Sequence, residues 1–258
     1  MDILAQKHAA VLASFASSNV LLGFDFDGTL APIALTPERA RMRPRTRRLL
    51  AAVARRYPCV VISGRSYDDL VKRLRRLPVW YLIGNHGLEP WAGGAAIPAR
   101  VHEWADHLRR ALAPCPGVVV EDKTYSATVH YRRARDKRRV KAAITQAIRG
   151  LRGVRVLGGD QAINLIPAGG PNKGLALQRV RRILACDLAI YVGDDETDED
   201  AFGSAPRDQL LAVRVGRACR SRAGYRLRTQ SDIDRLLTFL LTLRPRTRRS
   251  FAVRRRAS

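Results

Sequence analysis

The run LLGFDFDGTLAPI, residues 21–33, constrains this chain more than any other stretch. Its opening apolar residues do not alternate with polar ones, which marks a strand buried on both faces. The strand ends by placing Asp25 and Asp27 one residue apart. Two carboxylates this close repel, so a fold keeps them together around a cation or for a shared chemical task.

Other apolar runs end in similar polar turns. CVVIS (59–63) leads into Gly-Arg-Ser and a predicted helix over 66–76, and VWYLIGNHG (79–87) reads as a strand and loop. Between them, residues 44–56 carry Leu49, Leu50 and Val53 at helical spacing with basic residues opposite. Late in the chain a helix (172–185), strands at 188–195 and 210–216, and a closing helix (232–243) resume the pattern. Strands alternating with helices predict a Rossmann-like α/β core, a parallel sheet flanked by helices with right-handed crossovers. The middle differs. Residues 117–132 alternate as a half-solvated antiparallel hairpin, and 154–168 read as a second hairpin turning at Gly158-Gly159. Predicted helices at 101–113 and 136–149 accompany them. The expected organisation is a discontinuous core (1–90 and 168–243), an inserted α/β domain (91–167) and a basic, disordered tail (244–258).

No apolar run reaches the ~20 residues that span a bilayer, and the first twenty residues lack a signal-peptide pattern. The four cysteines are scattered without CxxC spacing, which points to reduced thiols, a cytoplasmic location and no zinc site. A monomer is expected. Lys and Arg number 47 against 23 Asp and Glu, a formal charge of +24 that suits an anionic partner. That partner is either nucleic acid, met through the arginine-rich tail, or a phosphorylated small molecule. Aromatic residues are 6% of the chain and no nucleic-acid-binding motif is present. A nucleic-acid-binding protein with a degenerate enzyme core therefore stands as an alternative, not as the expectation.

In open α/β sheets, sites form beyond the carboxyl ends of strands. DFDGT, SGR, GNHG and GDDETDED all occupy such ends, and Asn172-Lys173-Gly174 opens a helix. Asp25, Asp27 (through carboxylate or carbonyl) and Asp194 together suit one Mg²⁺, an ion held by few carboxylates plus substrate phosphate. Asp25 can then serve as nucleophile and Asp27 as proton donor and acceptor. Ser63 can bond a phosphate oxygen, and Lys173 can offset charge on the nucleophile and phosphoryl group. Singly, each stretch also reads as a turn, a cap or a solvated acidic loop. Their joint order is what argues for chemistry.

DxDGT, a strand ending in Ser, a Lys and GDDxxD together resemble the haloacid dehalogenase (HAD) superfamily of phosphatases. Within it, GNHGLE and EDKTYSATVHYR resemble the trehalose-6-phosphate phosphatase family, over residues 20 to about 202. The resemblance implies a Mg²⁺-dependent hydrolysis of trehalose 6-phosphate through an aspartyl-phosphate, in trehalose biosynthesis. It implies Asp25 as nucleophile, Asp27 as acid/base, and Ser63 and Lys173 at the phosphate. Asp25, Asp27 and Asp194 would hold the metal, supported by Asp195 and Asp198. The insert would be a cap closing over the sugar. Gly64, Arg65, Asn85, His86, Glu89, Lys123, His130 and Asn164 are the candidate substrate contacts. Arg65 reads equally as a structural ion-pair partner, and the GNHG loop as a self-supporting turn. One departure stands out: the family commonly shows Glu-x-Arg/Lys-Pro before the Lys motif, whereas here Asn164-Leu165-Ile166-Pro167 occupies it. Asn keeps hydrogen bonding but loses the charge, which opens two alternatives of the same chemistry, a phosphatase for sucrose phosphate or for a glycosyl phosphoglycerate. A Mg²⁺-dependent phosphotransferase such as a mutase also fits the architecture.

Overall fold

The computed structural model describes residues 1–91, 96–159, 161–218 and 220–244. The tail expected to be disordered lies, from residue 245 on, outside the described residues, as does Cys219. Helix α1 (Ala9–Ser17) leads into β1 (Val20–Phe24), then α2 (Pro44–Ala54), β2 (Cys59–Ile62), α3 (Tyr67–Leu74) and β3 (Tyr81–Ile83). An excursion follows: α4 (Ala96–Leu112), β4 (Val119–Asp122), β5 (Ala127–His130), α5 (Lys137–Ile148), β6 (Val154–Gly159) and β7 (Ala162–Pro167). The chain then returns through α6 (Lys173–Ile183), β8 (Leu188–Gly193), α7 (Glu199–Phe202), β9 (Leu210–Val215), β10 (Tyr225–Leu227) and α8 (Ile233–Leu243).

The first sheet is parallel throughout, in the order β10-β9-β8-β1-β2-β3. The chain moves from β1 to β2 on one side, while β8 and β9 build out on the other. Strand order therefore reverses at β1, which creates the crevice where α/β sheets bind ligands. Every residue of β1 is buried. Val20, Leu22 and Phe24 join one apolar cluster with α1, α2 and α8, and Leu21 joins the opposite one with α6 and Phe202. Two buried faces explain the uninterrupted apolar run. Gly23 has no side chain because Tyr191 of β8 and Leu177 of α6 fill its place.

The excursion forms its own antiparallel sheet, ordered β4-β5-β7-β6, with a separate core. Val101, Trp104 and Leu108 of α4 and Ile144 of α5 pack on Ala127, Val129, Ile163 and Leu165 of the sheet. The period of two then directs Thr128, His130 and Asn164 to the other face. The turn expected at Gly158-Gly159 falls later, because both glycines pair in β6, opposite Ile163 and Ala162. They are small for close approach rather than for turning. A Cβ on Gly158 would lie 2.5 Å from the Glu196 carboxylate, and one on Gly159 would lie 3.2 Å from the Asn164 amide. Strand β10, too short to stand out in the sequence, completes the first sheet. Among the described residues no helix is long and apolar enough to cross a membrane.

Gly23→Ala tests the central packing. A Cβ there would come within 2.7 Å of the Tyr191 ring and 2.9 Å of Leu177. Overpacking of this kind costs about 1–3 kcal/mol. Urea titration is expected to show that loss, and an unchanged midpoint would contradict the tight fit.

Candidate active site

Asp25 follows β1 directly. Its backbone N–H bonds the Val192 carbonyl at 2.9 Å, so the ladder to β8 continues one residue past the strand. Its carboxylate is buried and accepts from Lys173 Nζ at 2.9 Å. Lys173 is the first residue of α6, behind the N-cap Asn172, whose side chain accepts from the Leu175 N–H at 3.0 Å. The same ammonium donates to Asp198 Oδ1 at 2.8 Å. Asp198 is fully engaged. Its Oδ1 also accepts from Tyr191 Oη at 2.8 Å, and its Oδ2 accepts from the backbone N–H groups of Asp194 and Asp195, each at 2.9 Å. Asp198 thus folds the acidic loop. Asp194 accepts from Thr29 Oγ1 at 3.0 Å and packs over Gly28, where a Cβ would sit 2.0 Å from its carboxylate oxygen. Gly28 also has φ +76°, so the position demands glycine twice over.

Carboxylate oxygens of Asp25, Asp194 and Asp198 lie within 4.8 Å of one another. Burial pushes the Asp25 carboxyl up to about 7, against the pull of Lys173 and with help from Asp198 and Asp27. Asp194 is held well above the usual carboxylate range by burial and then by Asp25 and Asp198. Asp195 is raised chiefly by burial. For Lys173, burial opposes the charge, but Asp198 and Asp25 outweigh it and hold the ammonium above its ordinary value. One ammonium among these acids leaves excess negative charge, so the donor set suits a hard divalent cation with oxygen ligands.

A cleft of about 740 Å³ opens over this floor. Asp25, Asp27, Ser63, Gly64, Arg65 and Lys173 line it, together with Asp194 and Asp195 of the acidic loop and His86 beside Gly64. From the second sheet come Lys123, His130 and Asn164. Ser63 is buried at the end of β2. Lys123 Nζ reaches across to the Gly64 carbonyl at 3.1 Å, and burial lowers its proton affinity. His86 is buried in a left-handed conformation (φ +60°) with both ring nitrogens unpartnered. Burial, then Lys173 and Lys123, keep its imidazole neutral. Asn164 Oδ1 accepts from Thr128 Oγ1 at 2.9 Å.

Asp198, expected as a metal support, does not line the cleft but belongs to the acidic cluster and holds the loop of Asp194 and Asp195. Two expected substrate contacts lie outside the cleft lining. Asn85 donates to Glu89 Oε2 (2.7 Å) and the Lys123 carbonyl (3.0 Å) and accepts from Ser126 Oγ (2.7 Å), so it fastens the second sheet's hairpin to the core. Glu89 Oε2 also accepts from the Tyr67 N–H at 2.6 Å and secures the start of α3. Asp27 lines the cleft, but both its oxygens are taken by Arg65, from Nε at 2.6 Å and Nη2 at 2.7 Å. Sequence reasoning passed over Glu121 and Thr128, which also line the cleft. They face each other in the β4–β5 register, and Glu121 bonds His130 Nε2 at 2.8 Å. The alternation that assigned His130 to the open face carried the signal for both.

A family model described as trehalose-phosphatase matches residues 23–231. A trehalose-phosphate phosphatase of Mycolicibacterium paratuberculosis is 38% identical over 230 residues, which cover 83% of this chain and 56% of that protein. One from Mycobacterium tuberculosis H37Rv is 39% identical over 195 residues, covering 69% of this chain and 49% of the relative. The chain thus spans about half the length of the curated relatives it matches. Among solved structures, the C-terminal domain of the Candida albicans trehalose-6-phosphate phosphatase superposes with TM-score 0.78 at 23% identity, covering 91% of this chain and 97% of that one. A trehalose-6-phosphate phosphatase related protein gives 0.67 at 25% identity, covering 86% and 97%.

The raised Asp25 carboxyl has a stability consequence. Between its unfolded value near 3.8 and its folded value of about 7, the folded state holds a proton that the unfolded state releases. Stability in chelator is therefore expected to fall as pH rises through that window, by on the order of 4 kcal/mol. Asp25→Asn should flatten the slope in urea melts between about pH 4 and 7. An equal slope in the variant would contradict the assignment.

Proposed function

The chain belongs to the trehalose-phosphatase family, and on that footing we propose that it hydrolyses trehalose 6-phosphate to trehalose and phosphate by way of an aspartyl-phosphate. The observation that carries the reading is the placement of buried Asp25 at the strand switch point, bonded to Lys173 and beside Asp194 on the cleft floor. In this reading an Asp25 oxygen attacks phosphorus, and the bond from phosphorus to the sugar oxygen breaks. Asp27 gives its proton to that oxygen. Water then attacks the phosphoryl group, Asp27 takes a proton from it, and the phosphorus–Asp25 bond breaks to release phosphate. Ser63 and Lys173 hold the equatorial oxygens, where negative charge gathers.

Asp25 and Asp194 would hold Mg²⁺ through their carboxylates and Asp27 through its carbonyl. Asp198 and Asp195 would shape the loop. When bound, the ion neutralises the acids and the phosphate so that an anionic nucleophile can approach an anionic substrate.

The second sheet with α4 and α5 acts as a cap domain in this account. It presents Lys123, His130, Asn164 and Glu121 to the sugar and excludes water when closed. Lys123 on the Gly64 carbonyl and Asn85 on the hairpin tie cap to core in the observed arrangement. Asn164 supports a second reading of the same chemistry. Its Oδ1 is satisfied by Thr128, which leaves the amide N–H groups to the cleft. A donor here suits a substrate acceptor, and it keeps sucrose phosphate and glycosyl phosphoglycerates in the panel to be tested.

Phosphate release from trehalose 6-phosphate, sucrose 6-phosphate and glucosyl-3-phosphoglycerate, with Mg²⁺ and with EDTA, separates these readings. Preference for trehalose 6-phosphate is expected. Activity should vanish in EDTA and fall at least ~10³-fold in Asp25→Asn, as expected when a nucleophile is removed. Preference for another sugar phosphate would move the substrate and keep the mechanism. Full activity in Asp25→Asn would overturn the nucleophile.

A further inference from the structure

We infer that Arg65 is a positioning residue for proton transfer: it fixes the orientation of Asp27 and does not bind the substrate's phosphate. The inference rests on the phosphatase reading above. A guanidinium has five N–H donors, and four of these are spent inside the protein. Nε bonds Asp27 Oδ2 at 2.6 Å, and Nη2 bonds Asp27 Oδ1 at 2.7 Å. Nη2 also bonds the Pro37 carbonyl at 2.8 Å, and Nη1 bonds Asp69 Oδ2 at 2.6 Å. A phosphate-binding arginine offers its paired N–H groups as a fork. Here the fork is already filled by a carboxylate of the protein.

The two partners are unequally held. Arg65 is 9% exposed at its side chain, and its guanidinium lies 5.4 Å from the Phe26 ring centre. Behind it, Asp69 is braced by Arg73 Nε at 2.8 Å, and Arg73 in turn bonds the carbonyls of Ala40 and Pro37. Asp69 sits in the first turn of α3, so the brace runs from a helix to the reacting group. Asp27, by contrast, is 38% exposed at its side chain. Only Arg65 among the described residues engages its carboxylate by a side-chain hydrogen bond. The buried, braced partner therefore sets the direction of the more exposed one. A bidentate pair fixes the plane of the carboxylate as well as its distance, and proton transfer to a leaving oxygen depends on that plane.

The test compares two esters in wild type, Arg65→Gln, Arg65→Lys and Asp69→Asn. Trehalose 6-phosphate has a poor leaving group that needs the Asp27 proton. In p-nitrophenyl phosphate the leaving group departs as the anion, and its pre-steady-state burst reports attack by Asp25 alone. In Arg65→Gln, kcat on the sugar phosphate is expected to fall about 10²-fold, the usual contribution of general acid catalysis. KM and the nitrophenolate burst rate should stay within about threefold of wild type. Arg65→Lys and Asp69→Asn should show smaller losses of the same pattern. They carry the comparison if thermal melts show Arg65→Gln unfolded. A rise in sugar phosphate KM with kcat unchanged, or equal losses on both esters, would overturn the positioning role alone. Turnover of neither ester by wild type would overturn the phosphatase reading and this role with it.

Discussion

A buried ammonium between two buried carboxylates is the interaction on which the site depends. Lys173 is 2% exposed, and its partners Asp25 and Asp198 are 5% and 0% exposed at their side chains. Removing Lys173 leaves two buried carboxylates without their cation and costs about 3–5 kcal/mol. Lys173 also stands at the N-terminus of α6, where the helix dipole disfavours a cation. A local rule is broken there, and the acids it joins come from distant parts of the chain. Such a conflict between local preference and global placement is the mark of a functional site.

From that ammonium the structure extends in two directions. Asp198 carries its hold into the acidic loop by accepting from two successive backbone N–H groups, which aims Asp194 at Asp25. Arg214 secures the other side of the loop by donating to the Asp194 and Asp195 carbonyls and to Glu199. Toward the second sheet, Gly64 meets His86 below and Lys123 above. The turn at 63–65, the His86 imidazole and the β4–β5 hairpin are thus packed in series. The Arg155–Asp200 pair and the Glu196 carboxylate on the Gly158 N–H tie β6 to the stretch that carries the acids. Each of these contacts pairs the second sheet with the loops that carry the acids.

The sequence made legible what depends on local pattern. Strand β1 could be read because both faces are buried, and Asp25, Asp27, Ser63 and Lys173 because each sits at an element boundary. The alternation of β5 separated Val129 from His130 correctly. Other residues were opaque because their partners are remote. Tyr191 looks like one more apolar strand residue, and only the fold brings its hydroxyl to Asp198. Asn85 and Glu89 resemble site residues because they follow β3, yet their polar atoms are consumed by Ser126, Lys123 and Tyr67. Gly158 and Gly159 carry a turn's composition, and the approach of Glu196 and Asn164 explains them instead. Arg65 reads from the sequence as either ligand or ion-pair partner, because Asp27 and Pro37, which take three of its four internal hydrogen bonds, are remote in the chain.

The central claim is that Asp25 becomes covalently phosphorylated. Acid quenching within one turnover, followed by mass spectrometry of the cleaved protein, tests it directly. The account predicts one acid-stable, base-labile phosphoryl group on the peptide that carries Asp25, absent from Asp25→Asn. Full turnover of substrate with no adduct at any quench time, or an adduct on another residue, would contradict it.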